Sequence, residues 1–289
     1  MRQLTQAMID GAGDQRRPLR LFPGDYSVSA TLSLKCRSGL FIRGAGDMDN
    51  ASYGAGWPEM AYTRLVWDGP RGQTMFDGTS ALGCGFRDVI LDGAASAGIG
   101  IGCWTVPGWP NSRTRLGNVM LRNFTSCGVQ FGTPGEPSGW NCDMSEFYSV
   151  GVAGCPVGIQ TCNDQSVGHL WEKIGNVDCP VGIDLVRGGN VQIRGAWQDG
   201  GNPRTFLRLG AGGCNVCTVL ISGGHLERGC LVDASDAPEW ALWQVAIESY
   251  LATVPEPDDV PLTKLSQISQ SRGAKIIATG CWLNGRATA

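Results

Sequence analysis

The sequence predicts an all-β solenoid folded as a single domain, and three observations carry that expectation. The pentapeptide Cys-Pro-Val-Gly-Ile occurs twice, at Cys155 to Ile159 and at Cys179 to Ile183, so the chain repeats itself after 24 residues. A "Gly, apolar, any, apolar" signature spreads outward from that pair, as Gly98-Ile99-Gly100-Ile101, Gly128-Val129-Gln130-Phe131 and Gly182-Ile183-Asp184-Leu185, with weaker echoes at Thr205 to Leu209 and Gly229 to Val232. With Gly158 of the first pentapeptide included, the Gly-to-Gly steps are 30, 30 and 24 residues. Composition agrees: 289 residues include 43 Gly and 15 Pro and are only 17% charged, a turn-rich and helix-poor chain with no linker or low-complexity tract. Units repeating at such periods bury their apolar faces by stacking on their neighbours.

Within each unit a second apolar run lies about ten residues before the glycine signature, Val89-Ile90-Leu91 before Gly98 and Val119-Met120-Leu121 before Gly128. Val191 to Ile193, Thr218 to Ile221, Trp243 to Ile247 and Lys275 to Ala278 continue the series less regularly. These runs are short, β-branched or aromatic and bounded by Gly, Asn, Asp and Pro, which predicts strands separated by turns. Several short strands per period fit one coil of a parallel β-solenoid.

The opening of the chain is more specific. Leu4 to Asp10 is a short amphipathic stretch, followed by Arg20-Leu21-Phe22-Pro23-Gly24-Asp25-Tyr26-Ser27-Val28, Thr31-Leu32-Ser33-Leu34 and Gly39-Leu40-Phe41-Ile42-Arg43-Gly44-Ala45-Gly46. This order of capping helix, "Phe/Leu-Pro-x-Gly-x-Tyr" strand and "Ile-x-Gly-x-Gly" strand resembles the pectin lyase-like superfamily, and within it phage tailspikes and appendages. The resemblance spans essentially the whole chain and implies a single right-handed parallel β-helix, with residues 1–14 as the N-terminal cap and 15–289 as coils. Loop excursions are expected near 44–62, 102–113, 132–140 and 249–265. An apolar-faced helix at the first coil also makes physical sense, because a solenoid needs its open end covered. These motifs specify fold far more than chemistry.

Composition bounds the partners. A net charge of −3 gives no basic footprint for nucleic acid or anionic membrane, and no apolar run approaches the roughly 20 residues that span a bilayer. The 12 cysteines include one Cys-x-x-Cys, Cys214 and Cys217, without a second ligand pair for zinc or a thioredoxin-like context. Cys127, Cys155 and Cys179 instead precede the glycine signature closely, which predicts reduced thiols stacked as small apolar side chains inside the coil. A chain using thiols in this way is expected to fold in a reducing compartment. Met1 runs directly into the capping helix with no signal segment. For a β-helix resembling phage proteins, this implies folding in the host cytoplasm and a virion location.

The catalytic signatures of the superfamily are missing. Polygalacturonase-like hydrolases carry Asn-x-Asp, Asp-Asp, Gly-His-Gly and Arg-x-Lys on successive coils, and none is recognisable. The one Asp-Asp, Asp258-Asp259, sits in the Pro-rich stretch Val254 to Pro261, and both histidines occur as Gly-His-Leu, around His169 and His225, which reads as a repeated structural position. No carboxylate cluster resembles the calcium site of pectate lyases, so neither metal nor cofactor is expected.

Two constellations remain. Glu146, Glu172, Asp199, Glu227 and Glu248 recur at steps of 26, 27, 28 and 21 residues. Stacked on one face they would stand about 4.8 or 9.6 Å apart, spacings that bracket retaining and inverting glycosidases. Glu172, Asp199 and Glu227 are therefore candidate catalytic carboxylates, with a solvated acidic face as the alternative. Trp104 and Trp109 fall in one predicted loop, Trp140 in the next and Trp57 in the 44–62 excursion. These tryptophans form a candidate ridge for sugar rings or a protein partner, or else fold back as cover. Two functions follow: a structural or adhesive phage virion component, tailspike-like or decorating a capsid, that binds bacterial surface polysaccharide and other virion proteins; or a polysaccharide depolymerase. Flat, weakly charged solenoid faces also suggest a homo-oligomer, most simply a trimer.

Overall fold

The structure, a computed structural model, describes residues 1–15, 17–45, 62–133, 135–136, 140–199, 205–210, 217–226, 229–252, 268–269, 274–279, 281–283 and 286–287. Among them the strands form a 15-stranded sheet, a nine-stranded sheet and the short pair Asn111–Ser112 with Cys142–Asp143. The chain alternates between the two large sheets. Gly85–Asp92, Arg115–Arg122, Glu146–Ala153, Val167–Val177, Gly189–Asp199, Thr218–Leu226 and Trp243–Ala252 lie in the long sheet, and Ile99–Cys103, Cys127–Phe131, Val157–Thr161, Val181–Leu185, Thr205–Leu209 and Cys230–Asp233 in the other. Each strand pairs in parallel with its counterpart one coil later. The fold is a parallel β-helix. No helix among the described residues is long and apolar enough to cross a membrane.

The repeat read in the sequence is the inward face of the nine-stranded sheet. Phe76, Ile101, Val129, Ile159, Ile183, Leu207 and Val232 stand in one registered, fully buried row. The glycines before them are required by close approach. A Cβ on Gly128 would meet the Gly158 carbonyl at 2.7 Å, and one on Gly158 the Gly182 carbonyl at 2.4 Å. Opposite this row, Leu116, Phe147, Trp171, Ile193, Ile221 and Ile247 form the inner row of the long sheet.

Each long-sheet strand turns a corner at one residue. Asp88, Asn118, Ser149, Lys173, Gly195, Gly223 and Ser249 all have left-handed backbone angles, with φ between 53° and 62°. The lateral register passes over them: Gly117 is opposite Tyr148, and the next pair is Val119 with Val150. Burial of Phe147, Val150 and Val152 shows the inside–outside alternation resetting across Ser149.

The helix Gln6–Asp14 closes the first coil. Ile9 and Leu4 are buried, and the Gln6 amide donates to the Ser33 carbonyl at 3.0 Å while its oxygen accepts from the Ser33 N–H at 2.7 Å. Those bonds satisfy the backbone of an edge strand that would otherwise template another chain. Arg37 pins the helix from outside through Asp10 at 2.6 Å and Asp14 at 3.1 Å.

The interior carries polar and sulfur groups as well as hydrocarbon. The 11 described cysteines are thiols, nine of them buried; Cys214 lies outside the described residues. Cys155 and Cys179 occupy equivalent positions of consecutive coils, and burial drives the Cys103 thiol up to about 12. His169 is buried between Phe131 and Trp171, with ring centroids 4.9 and 5.2 Å away. Its Nδ1 accepts from the Ser145 hydroxyl at 2.8 Å, and its Nε2 faces the Ser166 hydroxyl at 3.3 Å. The imidazole is therefore neutral, its pKa held down to about 3 by burial, and it is a core residue.

Candidate functional site

The recurring acidic residues do not stack. Glu146 is opposite Leu170, and Glu172 is opposite Tyr148, because this coil is 24 residues long while the two carboxylates are 26 apart. Asp199 is opposite Val177, five positions beyond the Arg194 that lies beside Glu172, and its side chain is outside the described residues. Glu227 lies wholly outside them. Glu172 and Glu248 do share a row, Tyr148–Glu172–Arg194–Ser222–Glu248, but three strands apart, about 14 Å. The register thus replaces the expected ladder with one diagonal pair: Glu146 and Glu172, about 8 Å apart from strand spacing and rise. Each meets an arginine, Glu146 with Arg115 at 3.1 Å and Glu172 with Arg194 at 3.2 Å.

Both carboxylates line a 650 Å³ groove on the outer face of the long sheet, together with Arg87, Asp88, Gly117 and Tyr148. Tyr148 is half exposed; its hydroxyl accepts from Lys173 at 2.9 Å, and that ammonium stands 4.9 Å from the ring centroid. Asp88 is shared by Arg43 at 3.4 Å and Arg87 at 3.6 Å. The sequence reading missed Arg87, Gly117 and Tyr148. Their only signal was position, just before a corner whose residue type changes from coil to coil.

The tryptophans separate into two kinds. Trp104 folds back as cover: its indole occupies the space beside Gly102, where a Cβ would meet it at 2.6 Å, and Nε1 donates to Gln130 at 3.4 Å. It heads an outer polar row in which Gln130 donates to Gln160 at 2.7 Å, Gln160 to Asp184 at 2.9 Å, and Arg208 grips Asp184 with two bonds of 2.9 and 2.7 Å. Trp109 and Trp140 are instead 56% and 50% exposed. Asn111 is opposite Cys142, and its N–H donates to the Asn141 carbonyl at 2.8 Å. Two residues upstream, Trp109 and Trp140 therefore hold equivalent positions on consecutive coils. Polar residues follow Trp140 on its own coil and the next: Asn141 donates to Asp143 at 3.2 Å, Asn163 to the Trp140 carbonyl at 3.1 Å, and Arg187 to Asp164 at 2.9 Å. After Thr161 and Leu185 the next strands begin at Val167 and Gly189, so these connections are short and leave the pair standing at an edge. Trp57 lies outside the described residues.

These features define a parallel β-helix protein with an aromatic edge and a charged outer groove. No family model and no curated protein matches the chain. Among solved structures it is similar to Geobacillus virus E2 ORF18, at 12% identity and a TM-score of 0.49 over 83% of this chain and 50% of that one. It is also similar to a variant of sacteLam55A from Streptomyces sp. SirexAA-E in complex with glucose, at 12% identity and a TM-score of 0.39 over 97% of this chain and 48% of that one. The chain spans about half the length of each.

Proposed function

We propose that this chain is a phage virion component, tailspike-like or decorating a capsid surface, that holds a bacterial surface polysaccharide along its aromatic edge without cleaving it. The observation that carries this reading is the Trp109–Trp140 pair: two half-exposed indoles at equivalent positions of successive coils, flanked by amides and carboxylates. Indoles present a flat apolar face to the C–H face of a sugar ring, and neighbouring polar groups take its hydroxyls. The capping helix and the strand motifs that resemble phage appendages support the virion assignment. Homotrimeric assembly about an axis parallel to the coils belongs to the same proposal, and light scattering on the purified chain tests it.

The test is binding of purified protein to immobilised capsular and surface polysaccharides. Trp109→Ala with Trp140→Ala should weaken retention about tenfold or more, while the fold is kept, because each indole is already half in water. Retention equal to wild type would remove the aromatic edge from glycan recognition.

One observation favours a second reading, a depolymerase. Glu146 and Glu172 line one groove with their backbones about 8 Å apart, so that carboxyl groups released from Arg115 and Arg194 could reach the separation of about 6.5 to 9.5 Å used by inverting glycosidases. On that reading Glu146→Gln and Glu172→Gln would each abolish glycan cleavage. Failure of wild-type protein to release reducing ends leaves the binding role.

A further inference from the structure

The repeated pentapeptide contains one residue that the coil interior does not demand. Its isoleucines, Ile159 and Ile183, belong to the buried row, and a Cβ on its first glycine, Gly158, would meet the Gly182 carbonyl at 2.4 Å. Burial asks only for a small apolar side chain at Cys155 and Cys179, which alanine would also supply.

The two cysteines are held in register from both sides. Ala153 is paired with Val177 two residues before them, and Val157 with Val181 two residues after; the Val181 N–H also donates to the Pro156 carbonyl at 3.2 Å. Both side chains take the same pose. Cys155 Sγ lies 3.4 Å from the Ala153 carbonyl oxygen and Cys179 Sγ 3.5 Å from that of Val177, and the two thiols are hydrogen-bonded to each other. Neighbours across parallel strands have Cα atoms about 4.8 Å apart, inside the range of about 4.4 to 6.8 Å over which a disulfide closes without backbone movement. The other described cysteines that lie in strands have no such neighbour: Cys103 is opposite Phe131, Cys127 opposite Ile99 and Val157, Cys142 opposite Asn111, and Cys230 opposite Thr205.

We propose that Cys155 and Cys179 are a latent covalent staple: a peroxide that reaches them while the coils are open converts the dithiol to a disulfide that ties one coil to the next. One sulfur attacks the O–O bond, which breaks to leave a sulfenic acid and a first water. The second sulfur then attacks the first, the S–S bond forms as the S–O bond breaks, and the remaining thiol proton leaves in a second water. The two thiols give up two electrons and two protons, and the peroxide takes both. A resolving thiol one strand spacing away stops oxidation at the disulfide, short of sulfinic acid. The closed loop spans 24 residues, so coils that opened once to the oxidant are held together afterwards. Nothing in the staple depends on the aromatic edge or on the charged groove.

Incubation of the full chain with hydrogen peroxide in urea just below the unfolding midpoint, followed by thiol alkylation and peptide mapping by mass spectrometry, tests it. Both thiols should disappear together from the alkylated pool and reappear as one Cys155–Cys179 linked peptide. The urea midpoint of the oxidised protein should rise, and dithiothreitol should reverse both changes. Cys155→Ala treated in the same way should show no rise and should carry Cys179 as sulfinic or sulfonic acid. Four results would each overturn the staple: linkage of either residue to a different cysteine, sulfinic or sulfonic acid at either in wild type, both thiols still free once the exposed Cys36 is fully oxidised, or a lowered midpoint in the linked protein. Should Cys155→Ala fail to fold, the linked peptide and its reversal by dithiothreitol in wild type decide the same question.

Discussion

Asn176 and Gln198 are lateral neighbours inside the coil, 0% and 1% exposed, and none of their four amide atoms has a protein hydrogen-bond partner. They interrupt an otherwise apolar row that runs Leu91, Leu121, Val152, Asn176, Gln198, Leu226. A buried amide without partners costs about 1 to 3 kcal/mol per unsatisfied group, whereas hydrocarbon of the same shape costs nothing comparable. Asn176→Leu combined with Gln198→Leu should therefore raise the urea midpoint at unchanged m-value. A lowered midpoint would mean that the amides are satisfied in solution by enclosed water.

Two glycines should respond oppositely to a methyl group. Gly158→Ala drives a Cβ to within 2.4 Å of the Gly182 carbonyl and 2.5 Å of the Asn176 Oδ1, both held in place by the coil above. It should cost about 1 to 3 kcal/mol or prevent folding. Gly117→Ala, on the outer face, should be neutral or stabilise by up to about 1 kcal/mol through the unfolded chain. Chemical denaturation of the two variants side by side checks both.

His169 supplies a pH dependence. Its pKa is held down to about 3 by burial, against about 6.5 in an unfolded chain. Between those values the unfolded chain binds a proton that the folded one refuses. Stability from this site is thus complete above about pH 6.5 and falls as pH drops toward 3, at a slope approaching about 1.4 kcal/mol per pH unit. Unfolding free energies of wild type and His169→Phe, measured at pH 7 and pH 5, should converge by about 2 kcal/mol at the lower pH. A constant difference would show that the histidine is not buried neutral.

Trp104 and Trp109 share one loop and should separate by phenotype. Trp104→Ala removes cover from Gly102 and a donor from Gln130, and should lower stability by about 2 kcal/mol without a direct effect on glycan binding. Trp109→Ala should leave stability close to wild type and weaken glycan binding. Thermal melts together with polysaccharide retention distinguish the two residues.

The fold was legible because a solenoid interior imposes the same demand at each coil: the row Ile101, Val129, Ile159, Ile183 needs apolar side chains, and Gly128, Gly158 and Gly182 need none. Register was not legible. Coil lengths vary, so residues a nearly constant distance apart drift along the strand, as Glu146 and Glu172 do by two positions. The corners offered little help, since Asp88, Asn118, Ser149 and Lys173 all hold the same left-handed conformation. Among the tryptophans, Trp109 is exposed and Trp104 only half-buried against Gly102, a difference that sequence spacing does not reveal.

The buried thiols have a consequence for how the protein meets an oxidant. Cys155 and Cys179 hold equivalent buried positions one coil apart, and the hydrogen bond between the two thiols, together with burial, holds the Cys155 thiol far above its ordinary range and away from the reactive thiolate. For the nine buried cysteines, reaction with an oxidant has to wait for the coils to open. Resistance to oxidation is thus set less by the chemistry of the thiols than by how rarely the coils come apart.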